Sequence, residues 1–150
     1  MAIGMRTNAG AAGKRLGALG ELVAKNVRIA VVDTAISLAE DAAEATPIDT
    51  GAAESAWNAT PRRPDYISEH DKRASTSGAS AVDAVVSRAE TQLGKQQSVA
   101  VVTNGVTYIE ELNQGSSNQA PAGFVQVAVQ MAKARLKKLR VTKVGGGNIR

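Results

Sequence analysis

The sequence predicts an α+β fold: a small antiparallel sheet packed against a long N-terminal helix, a middle helix and an amphipathic C-terminal helix. Three observations point there. Apolar residues recur every three or four positions between Leu16 and Ala45, the period of one helix face. The run Ser-Val-Ala-Val-Val-Thr at 98–103 is short and rich in β-branched residues, as a strand is. From Val125 to Leu139 the helical spacing returns, with a polar stripe at the same spacing beside it.

In chain order, the first helix is expected over 14–45. Its stripe is Leu16, Leu19, Val23, Val27, Ala30, Thr34, Leu38, Ala42 and Ala45. The local run 27–36 is β-branched enough to suit a strand, but the stripe continues through it. The helix must stop near Thr46, because Pro47 disfavours helix in the residue before it. Pro47, Asp49 and Gly51 then punctuate a turn. Residues 55–60 read as a strand carrying Trp57, the largest candidate for the core. The polar segment 62–80 reads as a surface loop, longer than a connector needs, which suggests a functional or interface role.

A second helix is expected over 79–93, with Val82, Val85, Val86, Ala89 and Leu93 on one side. After the strand at 98–103, Asn104-Gly105 is a hairpin signal that would make 106–112 a partner strand. Against it, Tyr108 and Leu112 stand four apart, Glu110 and Glu111 lie on the other side, and Gly115 is a helix stop. A short helical turn is the favoured reading. The last helix is expected to begin at Pro121, whose missing N–H costs nothing at a first helical position. Its seam would be Val125, Val129, Ala132, Leu136 and Leu139, and its polar stripe Gln126, Gln130, Lys133, Lys137 and Arg140. All of 1–150 forms one domain in this reading, with 1–13 and 141–150 as flexible arms.

Composition narrows the function. Aromatics make up 3% of 150 residues and the apolar remainder is mostly alanine and valine. Such a core is shallow, so neighbouring subunits are expected to contribute stability. There is no cysteine, which removes disulfides and thiolate metal sites. The longest apolar run, 29–39, is interrupted by Asp33 and is too short to cross a membrane. The N-terminus lacks the apolar core of a secretion signal, so synthesis in the cytoplasm is expected.

The net charge of +4 is strongly segregated: +3 over 1–20, −6 over 21–111 and +7 over 112–150, with all fourteen acids in the middle segment. Basic ends of this kind suit a polyanion or an acidic partner surface, or else a solvated helix face.

No catalytic constellation stands out. Asp65, Glu69, His70 and Asp71 could approach a metal, but no second cluster completes a site, so no metal is expected. Glu110 and Glu111 are adjacent and on a helix diverge. Asp49-Thr50-Gly51 has the form of an aspartic-protease triplet, but that chemistry needs two aspartates at one site and the flanks differ. The triple glycine at 145–147 has neither a preceding strand nor a following lysine. No enzyme and no cofactor are expected. The basic helix carries no aromatic platform for stacking on bases, so only non-specific, salt-sensitive attraction to DNA phosphates is expected of it.

Two separated segments carry a resemblance. The first holds Thr46, Pro47, Asp49, Thr50, Gly51, Ala53 and Trp57; the second holds Thr103, Asn104, Tyr108, Leu112, Gly115, Ser117, Gln119, Ala120, Pro121, Gly123 and Val125. Together, over 45–125, they resemble the neck and tail-completion proteins of long-tailed bacteriophages, a group also called minor tail or tail-component proteins. Family members often have proline before the tyrosine, where Thr107 stands here. The basic C-terminal extension lies outside the motif.

The resemblance implies a structural virion protein: a subunit of a ring, a hexamer, that completes the tail and joins it to the head connector. Its partners would be further copies of itself, tail-tube or tail-terminator proteins and head-connector proteins. Asp49, Thr50, Gly51, Trp57, Tyr108, Leu112, Gly115, Gln119 and Pro121 would then be interface or motif residues. Gly115 and Gly123 would permit turns, and the amides of Asn118 and Gln119 would bond main chain at the hinge. Outside that motif, Lys133, Lys137, Arg140 and Lys143 form a candidate basic face, which in a ring would line a channel, with any contact to passing DNA free of sequence specificity, or meet an acidic neighbour. The alternatives are a tail-terminator or head-closure ring of the same neck, and a non-specific DNA-binding protein.

Overall fold

A computed structural model describes residues 9–66 and 77–139. The elements run α1 (Ala9–Glu44), α2 (Ala52–Ser55), β1 (Trp57–Pro61), α3 (Ala79–Leu93), β2 (Ala100–Asn104), α4 (Ile109–Asn113) and α5 (Phe124–Lys138). The α+β class is as expected. The sheet among the described residues has two strands. Residues 106–112 do not pair with β2; they hold α4 instead. None of the described helices is long and apolar enough to cross a membrane.

The two strands pair antiparallel, with Trp57 opposite Asn104 and Ala59 opposite Val102. Side chains alternate across the sheet. Trp57 and Ala59 join the core, with Ala100 and Val102 packed against it. On the other face Asn58 and Thr103 stand opposite each other. The Asn58 amide and the Thr103 hydroxyl both donate to the carbonyl of Asp65, at 3.2 and 3.0 Å. The Thr60 hydroxyl donates to the Arg63 carbonyl at 2.5 Å. The start of the polar loop is thereby folded over the sheet. Of the acidic group around His70, only Asp65 is among the described residues.

The core lies where α1, α3, α5 and β1 meet. It is built from Val32, Ala35, Ala39, Ala42 and Ala43 of α1, Val85, Ala89 and Leu93 of α3, Phe124 and Ala128 of α5, and Trp57 and Ala59. Alanines let helices approach closely, so three large side chains, Trp57, Leu93 and Phe124, fill much of the space between them.

Trp57 is 6% exposed and its indole N–H donates to the Thr46 hydroxyl at 2.8 Å. That hydroxyl in turn donates to the Ala42 carbonyl at 2.6 Å. One threonine thus closes the last turn of α1 and satisfies the buried indole. Arg88 of α3 donates to the carbonyls of Ser55 and Trp57 at 3.2 and 3.0 Å. Burial lowers its pKa from the ordinary value.

Three expectations are corrected. Helix α1 already includes 9–13, which were read as part of an arm, and its inward face differs from the expected stripe. Leu16, Leu19 and Val27 are exposed, whereas Val32, Ala35, Ala39 and Ala43 are buried. The reason is length: α1 has 36 residues, about 54 Å, and the body covers only its C-terminal part. The turn after Pro47 contains α2, which was not anticipated. Helix α5 begins at Phe124 and not at Pro121, and its seam is Phe124, Ala128 and Ala132. Val125 and Val129 flank that seam, while Leu136 is exposed. The one phenylalanine of the chain has the most area to bury, and it turns the helix toward itself.

Arg135 of α5 forms a two-pronged ion pair with Asp41 of α1, one arm of it at 2.8 Å between Nη2 and Oδ1. The hydrogen bond to Asp41 is the main reason that the Arg135 pKa is raised. Beside this pair, Glu40 is pushed above its ordinary 4.5, first by burial and then by Glu44 and Asp41, with Arg135 opposing.

Trp57→Ala is expected to destabilise the fold by about 3–5 kcal/mol, read as a lower denaturant midpoint; an unchanged midpoint would place the ring outside the core. Glu40 yields a pH signature. A carboxyl with a raised folded pKa costs stability when ionised. The cost is absent below the unfolded value of 4.5 and grows as pH rises through the folded one. Glu40→Gln should therefore be more stable than wild type at neutral pH, with the gap closing toward pH 4.5 in a series of urea melts. A pH-independent gap would mean that the substitution acts through packing alone.

Candidate functional site

The two motif segments meet. Residues 47–53, between α1 and β1, form one wall of a cleft of about 340 Å³; Tyr108, Glu111 and Leu112 of the α4 turn, with Ser116, Ser117 and Gln119, form the other. Segments some seventy positions apart are joined by a direct bond: the Ile48 backbone N–H donates to Gln119 Oε1 at 2.9 Å.

Each wall is held by side chains that satisfy main chain. On the first, Gly51 takes φ 76° and opens α2. Asn104, at the end of β2, donates to the Ala53 carbonyl at 2.7 Å and accepts from the Val106 N–H at 3.0 Å. This explains why Asn104-Gly105 makes no hairpin: the asparagine amide is committed to α2 and to the turn into α4. Ala53 and Ala56 then pack with Val106 in a small second core beneath the cleft.

On the second wall, Asn113 ends α4 and bonds the start of α5. Its carbonyl accepts from the Gly123 N–H at 2.7 Å and its Oδ1 accepts from the Val125 N–H at 3.0 Å. Gly123 has φ 82° and Gly115 has φ 94°, a region that costs a residue with a Cβ about 1–2 kcal/mol. At Gly115 a Cβ would also stand 3.1 Å from the Ala122 Cβ. The polar hinge from Gly115 to Gly123 is therefore a fixed turn, clamped at both ends. Pro121 lies within it and not in the helix.

Of the predicted interface residues, the cleft gathers Asp49, Thr50, Gly51, Tyr108, Leu112 and Gln119. Gly115 shapes the turn behind it, and Trp57 is buried below. The structure assigns the second main-chain clamp to Asn113, where the sequence suggested Asn118. Asn113 and Glu54 have no part in the sequence reading, and Asn104 enters it only as a hairpin signal and a motif position, not as a brace. Buried Glu54 accepts from the Gly78 N–H at 2.9 Å and so ties α2 to the start of α3. The available signal was positional: each asparagine stands at the end of a regular element, where its amide can replace lost backbone partners. Lys133 and Lys137 are exposed on α5 as expected, whereas Arg140 and Lys143 lie outside the described residues.

Chemically, the cleft offers carboxylates at Asp49 and Glu111, hydroxyls at Thr50, Ser116 and Ser117, and apolar surface at Ile48, Tyr108 and Leu112. No group of three or more metal-ligating side chains occurs among the described residues. The arrangement is suited to contact with another chain: apolar contact surface rimmed by charge. Comparison with protein-family models, characterised proteins and solved structures found no match, so the phage resemblance rests on the two motif segments themselves.

Gln119→Ala removes the bond between the walls. We expect a loss of about 0.5–1 kcal/mol in global stability and a clear rise in hydrogen exchange at the Ile48 amide. An Ile48 amide that exchanges as in wild type would show that the walls are held together without Gln119.

Proposed function

We propose that the protein is a structural subunit of a bacteriophage neck, part of a hexameric ring that completes the tail and joins it to the head connector. The observation that carries this reading is the meeting of the two motif segments. Of the eighteen residues behind the resemblance, nine, drawn from both segments, wall one exposed cleft, bonded across by Ile48 and Gln119. A surface kept so well braced is of the kind that subunit contacts need. The shallow alanine core and the long uncovered part of α1 also favour a chain that gains stability from neighbours.

In a ring, each subunit meets the next through two different faces, and any exposed stripe is repeated around the axis. Lys133 and Lys137 on α5 would then face passing DNA or an acidic neighbour through weak, screened contacts. A tail-terminator or head-closure ring of the same neck would use the same features.

Copy number in purified particles or isolated necks, measured by native mass spectrometry, tests the proposal. Six copies, or another closed-ring number, are expected. One copy per particle would end the ring reading. A chain absent from particles that retards DNA in a salt-sensitive way would favour the non-specific DNA-binding reading, to which exposed Lys133, Lys137 and Lys138 lend themselves.

A further inference from the structure

The N-terminal part of α1 is a helix with nothing against it among the described residues. Every residue from Gly10 to Glu21 is exposed, with Leu16 at 69% and Leu19 at 47%. A Cβ added at Gly10, Gly13, Gly17 or Gly20 would meet no atom of another element within 4 Å among the described residues. Glycine is the poorest helix former after proline, and two exposed leucines three apart share one face. Such a segment is poorly suited to standing alone in water. It carries bases at Lys14 and Arg15 and no acid before Glu21. Arg15 is one turn before Leu19 and borders the leucine face.

The hinge cleft is its complement. Apolar Ile48 and Tyr108 are exposed there, beside Asp49 and Glu111. Neither carboxylate pairs with a cation among the described residues; the ion pair found there is Asp41 with Arg135. The volume of about 340 Å³ suits a few inserted side chains rather than a whole helix.

The two surfaces cannot meet within one chain. Leu19 stands 25 positions before Glu44, at the far end of α1, which is about 38 Å of helix, and the cleft begins just beyond that end. A second arm is no better partner for the first, since both are basic. We infer that the α1 arm of one copy docks in the hinge cleft of a second copy. Leu16 and Leu19 lie on Ile48 and Tyr108, and Arg15 forms a charge-assisted contact with Asp49 and Glu111. The contact joins two different faces, so it propagates from copy to copy and closes when the rotation allows. This deepens the ring reading by naming the subunit contact.

The test is a charge exchange on the full chain, followed by sedimentation. Arg15→Glu alone, and Asp49→Arg with Glu111→Arg, should each weaken self-association about tenfold, as loss and reversal of exposed ion pairs would. All three changes together should restore it. The positions are exposed, so at a protein concentration low enough to keep the wild type dissociated the unfolding midpoints should match wild type and confirm that each variant is folded. The chain has no cysteine, so a variant with Leu16→Cys and Ile48→Cys should form disulfide-linked oligomers under mild oxidation, while each single variant should not extend beyond dimers. Self-association that is absent in wild type, insensitive to both reversals or unrestored by the exchange overturns the contact, as does a failure of the paired cysteines to link copies. The two readings fail separately. Ring copy number in particles with variants that assemble normally removes the contact and leaves the ring. A single copy per particle beside a restored charge exchange in solution removes the ring and leaves the contact.

Discussion

The Trp57 indole N–H on the Thr46 hydroxyl is the interaction on which the rest of the molecule turns. A buried indole needs a partner for its one donor. The partner it finds is Thr46, two residues past the end of α1. Because that hydroxyl also closes the last turn of α1, the end of α1, the start of β1 and the turn between them are set by one short chain of bonds. Pro47 and Ile48 emerge from it in a defined place, and that place is one wall of the cleft. Around the indole the helices present mostly alanine, which lets them approach but supplies little area. The few large side chains thus decide how the layers sit.

Both walls of the cleft depend on polar side chains that substitute for backbone. Asn104, Asn113 and Gln119 each bond main chain of a different segment. None of them belongs to the apolar core, yet together they fix a hinge with few regular hydrogen bonds of its own. Amides suit this task because they donate and accept at once. The result is a surface cleft with a stiff frame, at the opposite end of α1 from an exposed basic arm. That separation gives the subunit two unlike faces.

Helix periodicity was legible in the chain because it is a local property. The bounds of α3 were read correctly, and β1 and β2 came within two residues, since valine, threonine and tryptophan favour a pleated, half-buried surface. The faces of α1 and α5 were less legible. Both helices carry more apolar positions than one partner can cover, and spacing alone cannot say which of them meets the body. Phe124 settled α5, because the largest apolar side chain gains most from burial. In α1 the choice fell to the alanines, since close approach of α3 and α5 needs small residues. The cleft itself was half visible. Its residues were marked by the motif, but nothing local could show that Ile48 and Gln119 touch.

By itself, then, the amino-acid order determined the α+β class, the stop of α1 before Pro47, the tight hinge between Gly115 and Gly123, and the division of charge into basic ends and an acidic middle. These depend on φ restrictions, side-chain period and composition, all of which act over a few residues. Tertiary structure alone decided which part of α1 is covered, that Asn104 braces α2 instead of turning a hairpin, that Arg135 clamps Asp41, and that two distant segments wall one cleft. Those outcomes depend on which surfaces fit together and which buried polar atoms find partners. That competition is settled only once the whole chain is packed.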